Sequence, residues 1–121
     1  MAFWRVYEDE NGISHFDETE PRFAPVVLSL EVPALEASEP QPASQVMFLR
    51  LPPGWSTDWH PVPAYQYVCL LAGEAELTVG DGDIRRFARG DILHLQDIAG
   101  QGHKTRVVGD EVMLVAVVQQ G

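Results

Sequence analysis

Apolar residues in this chain come in short runs, each stopped by turn residues, and no long stretch keeps a 3.6-residue period. That pattern predicts strands rather than helices. Phe3 to Tyr7 and Ile13 to Phe16 flank Asn11-Gly12. This pair favours a primed hairpin turn, whose two central positions need positive φ. Val26 to Leu30 reads as a strand, and Pro33 to Ser44, with three prolines and several acidic residues, as a surface loop. Val46 to Leu51 is a strand stopped by Pro52-Pro53-Gly54. Gln66 to Leu71 turns at Ala72-Gly73-Glu74 into Ala75 to Val79. Gly80 to Asp83 precedes Ile84 to Phe87, and Arg89-Gly90-Asp91 precedes Ile92 to Leu95. After the loop Asp97 to Gly102 come His103 to Val108 and Val112 to Val118, split by Gly109-Asp110. About ten short strands joined by tight turns read as an all-β sandwich or barrel. Parallel pairing is not expected, because it needs long crossovers.

The length of 121 residues fits one domain, 1–121, with a hairpin, strand and loop over 1–45 and the main core over 46–118. The formal net charge of −10 repels phosphate backbones and anionic lipid, so neither nucleic acid nor a membrane is an expected partner. Cys69 is the single cysteine and cannot form an internal disulfide, so export to an oxidising compartment is not indicated. It lies in the apolar run Tyr67 to Leu71, where a buried, inert thiol is favoured over a catalytic one. The N-terminus lacks a signal peptide's pattern, and no apolar run approaches the roughly 20 residues of a membrane helix. The expected location is the cytoplasm.

One stretch stands out. From Gly54 the chain reads Gly, five residues, His60, one residue, Val62, three residues, Gln66, six residues, Gly73. Later, Gly90-Asp91-Ile92-Leu93-His94-Leu95 opens a strand, and Gly100-Gln101-Gly102-His103 follows. These resemble the two motifs of the cupin family, over about Val46 to Val118. The resemblance implies a double-stranded β-helix, a jelly-roll barrel of the kind that closes its edges by packing two sheets, and in small members a homodimer. It also implies a divalent metal such as Fe, Mn, Ni or Zn, held by His60, Gln66 and His103. Two departures weaken that set. Val62 stands where cupins have a second His, and Gln66 where most have Glu. Ile98 and Val107 also replace the usual Pro and Asn of the second motif.

Strand alternation agrees with the motif. His60 and Val62 share one face, with Asp58 if the strand extends back; so do Gln66, Val68 and Leu70, and so do His103, Thr105 and Val107. With those faces inward, His60, Gln66 and His103 meet among apolar residues, the general form of a small-molecule site. Asp58, Val62, Val68, Thr105 and Asp97 are the candidate pocket residues around them. Asp58 could restore a carboxylate to the ligand set, and Asp97 could orient the His103 imidazole or simply form a turn. His94 reads as a core or interface histidine, and His15 as a hairpin residue. Trp55, Trp59, Tyr65 and Tyr67 read as rim or interface packing, or as a lid. Lys104 and Arg106 should face away from His103. Two functions stay open. One is a metal-assisted lyase, isomerase or dioxygenase acting on a small organic acid or carbonyl compound. The other is a metal-free module that binds or senses a small ligand.

Overall fold

A computed structural model describes residues 2–121. Among the described residues there are eleven strands and no helix: β1 Phe3–Glu8, β2 Ser14–Glu18, β3 Ala24–Val26, β4 Leu35–Ala37, β5 Gln45–Leu51, β6 Gln66–Ala72, β7 Glu74–Thr78, β8 Ile84–Ala88, β9 Ile92–Leu95, β10 Lys104–Val108 and β11 Met113–Gln119. Six form one sheet in the order β2-β1-β9-β6-β11-β5, three form a second in the order β10-β7-β8, and β3 pairs with β4 alone. Val6, Leu70, Leu93, Leu95, Met113, Val115 and Val117 of the large sheet meet Ala75, Leu77, Phe87 and Val107 of the small one in a single buried cluster. Burying a Val or Leu fully contributes about 1.5–3 kcal/mol, so this cluster is what holds the two sheets face to face. They are hydrogen-bonded separately rather than as one closed ring.

Four expectations are corrected here. The large sheet is mixed, because β1 pairs parallel with β9, Val6 opposite Leu95. The long crossover that parallel pairing needs is supplied by the whole chain from β2 to β8. The β1–β2 turn is not the primed type, since no residue other than glycine has positive φ among those described. The Asp9 carboxylate accepts the N–H groups of Asn11 and Ile13, and the Asp9 N–H donates to the Ile13 carbonyl, so the side chain sets a wider turn. The run Val26 to Leu30 leaves the strand at Val26, and the expected loop 33–44 contains β4. With no body strand to pair with, Val27 to Leu30 form the exposed tip of a hairpin arm, and Leu30 reaches 103% exposure.

Candidate functional site

The site begins with a close approach of two chain segments. The stretch 55–60 runs along β10. The Val107 N–H donates to the Trp55 carbonyl, the Thr57 N–H to the Thr105 carbonyl, and His60 and His103 exchange both backbone hydrogen bonds at 3.1 Å. Gly102 makes this possible. Its φ is +82°, and a Cβ there would lie 1.9 Å from the His60 carbonyl oxygen. The result sets the His60 and His103 rings 4.9 Å apart, tilted by 52°.

Both rings are anchored by one nitrogen. His60 Nδ1 lies 3.0 Å from the Asp58 backbone carbonyl. A carbonyl only accepts, so Nδ1 carries the hydrogen and Nε2 keeps its lone pair. His103 Nδ1 lies 2.6 Å from Asp97 Oδ2, in a pair with Asp97 at 0% and His103 at 2% exposure. The other Asp97 oxygen, Oδ1, is buried with no partner. In each ring Nε2 is therefore the nitrogen left for the interior. Gln66 joins them on β6, its Oε1 accepting from Gln119 Nε2 at 3.3 Å, which leaves its amide N–H groups to donate.

These side chains open on a cavity of about 140 Å³ between the sheets. His60, Gln66, His103, Val62, Val68 and Thr105 line it, with Leu93, Met113, Val115 and Val117 as apolar wall and the partly exposed Trp55 on its outer side. No Asp, Glu, Lys or Arg is in the lining. Asp97 stands behind His103 rather than in the wall. Asp58 is corrected: residues 55–60 do not form a regular strand, and its carboxylate faces solvent and accepts the Trp59 N–H.

The loop that carries Asp97 is clamped from the β1–β2 hairpin. Glu8 Oε1 accepts the N–H groups of Ala99 and Gly100. The Ser14 hydroxyl donates to the Gly102 carbonyl and accepts the Gly80 N–H, both at 2.7 Å. Nothing local marks Glu8 or Ser14 as site supports, because their partners lie about ninety residues away. Among the wall residues absent from the sequence-based set, Leu93 on β9 and Met113, Val115 and Val117 on β11 were accessible to alternation.

The other candidates lie elsewhere. His94 sits on the outer face of the large sheet, stacked on Tyr67 at 4.1 Å and edge-on to Tyr65, with burial pushing its imidazole pKa down. His15 bridges two surface carboxylates. Lys104 and Arg106 face away from the cavity. A second, open hollow of about 190 Å³ lies against them, but Lys104 Nζ rests 4.9 Å over the Trp59 ring and Arg106 pairs with Glu76. Cys69 is half-buried, and desolvation raises its thiol pKa.

The donor set does not fit a resident divalent ion. Val62 offers no ligand, Gln66 is neutral, and Asp58 is turned away. No group of three His, Cys, Asp or Glu capable of holding a metal occurs among the described residues. Two imidazoles and an amide leave the cation's charge uncompensated.

No protein family and no curated protein matches this chain by sequence. Solved structures do. A cupin 2 conserved barrel domain protein from Salinispora arenicola CNS-205 aligns with a TM-score of 0.50 over 83% of this chain and 75% of its own, at 24% identity. A cupin domain from Bordetella pertussis Tohama I also gives 0.50, over 85% of this chain and 97% of its own, at 17% identity. The chain spans 63% of the length of a conserved Streptococcus pyogenes protein of unknown function, which aligns with 63% of this chain at 23% identity and a TM-score of 0.45. With two facing sheets and these likenesses, the chain is a small all-β domain of the cupin fold, a double-stranded β-helix.

Proposed function

We propose that this chain binds a small organic molecule in the cavity between its sheets without the help of a resident metal. One observation carries the reading. His60 and His103 each commit Nδ1 to the protein frame and leave Nε2 for an apolar cavity with no charged wall residue. Two fixed hydrogen-bonding groups in an apolar pocket give orientation and specificity to a small ligand.

The test is elemental analysis of protein purified without chelator, then offered Fe(II), Mn(II), Ni(II) or Zn(II). The expected result is less than stoichiometric, easily removed metal. One tightly held ion per chain, lost in His60→Ala, would replace this reading with a metal-assisted lyase, isomerase or dioxygenase acting through His60, Gln66 and His103.

The same proposal includes a second copy of this chain as partner. The β3–β4 arm pairs only with itself and exposes Val27, Leu28 and Leu30. Strand β5 is the unpaired edge of the large sheet and exposes Val46 and Phe48, the latter at 69%. An apolar arm and an apolar edge on one chain cover each other across a two-fold axis. Light scattering should give a dimer, and Leu28→Asp with Leu30→Asp a monomer; a wild-type monomer at micromolar concentration sinks this part. Among the described residues no helix is long and apolar enough to cross a membrane. A cytoplasmic location belongs to the same proposal, supported by the single free thiol of Cys69.

A further inference from the structure

The cavity wall says more than that a ligand enters, and the following step rests on the binding reading above. Three features bound the ligand's chemistry. The first is size. About 140 Å³ is close to the roughly 150 Å³ of a dry protein cavity that accepts benzene. A single six-membered ring fills such a space.

The second feature is charge. No lysine, arginine or carboxylate lines the cavity. A free carboxylate or ammonium entering it would lose its hydration with no opposite charge in the wall to compensate. The Asp97 carboxylate lies behind the His103 ring and is already paired with Nδ1. The ligand is therefore neutral.

The third feature is the hydrogen-bonding pattern. His60 Nε2 is an acceptor, fixed by the Nδ1 hydrogen bond to the Asp58 carbonyl. The Gln66 amide has its oxygen engaged by Gln119 and its N–H groups available, so it donates. Beside them His103 Nε2, backed by the Asp97 carboxylate, completes the polar corner. With Nδ1 committed to Asp97, His103 Nε2 is a second acceptor beside His60 Nε2. One hydroxyl serves two of the three groups at once, donating to one imidazole and accepting from the Gln66 amide. A carbonyl leaves His60 Nε2 without a donor, and a hydrocarbon leaves the whole corner unpaired. Buried polar groups without partners are costly, so the corner selects for the hydroxyl.

We infer that the cavity takes a neutral, monocyclic molecule the size of phenol, its hydroxyl donating to His60 Nε2 and accepting from the Gln66 amide, with its ring against Val115, Val117 and Leu93. Val62 is part of this design. A histidine there would add a third imidazole to the corner, and valine supplies apolar wall instead.

The experiment titrates phenol, benzene and benzoate into the full chain, followed by calorimetry and by the methyl resonances of Val115 and Val117. The expected order is phenol, then benzene about tenfold weaker for one lost hydrogen bond, then benzoate with no saturable binding. His60→Leu should remove the preference for phenol over benzene, because it removes the acceptor that the hydroxyl uses. Benzene equal to phenol, or benzoate tighter than phenol, in the wild-type protein overturns the inference while the binding reading stands. Failure of all three to bind or to move the Val115 and Val117 methyls overturns both. The wild-type order decides the matter even if His60→Leu does not fold.

Discussion

The four histidines divide into two pairs that differ in one respect. His15 and His94, on the outside, have both ring nitrogens engaged by the protein. His15 has Nε2 at 2.7 Å from Asp9 and Nδ1 at 2.7 Å from Asp81. His94 receives a hydrogen bond from Gln96 at Nδ1 and donates to Gln120 from Nε2. His60 and His103, inside, each have Nδ1 anchored and Nε2 facing a cavity. In the outer pair no ring nitrogen is left for a ligand to use. In the inner pair anchoring fixes the ring without consuming it, which is what the proposed binding site needs.

That contrast is broken most severely at Gly102. A Cβ there collides with the His60 carbonyl at a φ that side chains rarely adopt. Gly102→Ala should cost more than about 3 kcal/mol by urea denaturation. Near-wild-type stability would show that the inner pair does not depend on the backbone approach. Next comes the buried anchor. Asp97→Asn keeps the shape but replaces the charged acceptor of the His103 N–H, and should cost about 1–3 kcal/mol together with ligand affinity. The matching outer substitution, Asp81→Asn, removes one of two exposed partners of His15 and should cost less than about 1 kcal/mol. Equal costs would erase the distinction between the pairs.

How much of this was legible in the sequence follows from distance along the chain. Period-two alternation and the spacing of Gly54, His60, Gln66 and Gly73 concern neighbours. They locate β5 to β11 and bring His60, Gln66 and His103 to one interior. Asp58 failed because alternation assumes a regular strand, and 55–60 follows β10 only irregularly. Turn chemistry at Asn11-Gly12 was overridden by the Asp9 carboxylate, a side-chain effect that dipeptide preference does not contain. The parallel β1–β9 pair, the Glu8 and Ser14 clamps and the independence of the arm arise from partners tens of residues apart. No local pattern encodes them.

The smallest effect lies in the outer pair and depends on pH. Two carboxylates face the two nitrogens of His15, so both nitrogens must donate and the ring must be protonated. Hydrogen bonds to Asp9 and then Asp81 raise the His15 pKa above its ordinary 6.5, and the hydrogen bond to His15 leads in lowering Asp9 below its ordinary 3.8. A raised imidazole pKa contributes stability that is complete below 6.5 and fades as pH rises through the folded value. A lowered carboxylate pKa contributes stability that is complete above 3.8 and fades as pH falls through its folded value. The clasp between the β1–β2 turn and the β7–β8 turn is therefore tightest in mildly acidic solution. Comparing wild type with His15→Gln, the Tm difference should be a few degrees at about pH 5 and shrink toward zero in alkaline buffer. All three groups are about one third exposed, so about 1 M salt should shrink it as well. A Tm gap that persists in alkaline buffer, or a change in phenol affinity in His15→Gln, would mean that the outer histidine reaches the cavity through Ser14 and Gly102, and that the two pairs are one system.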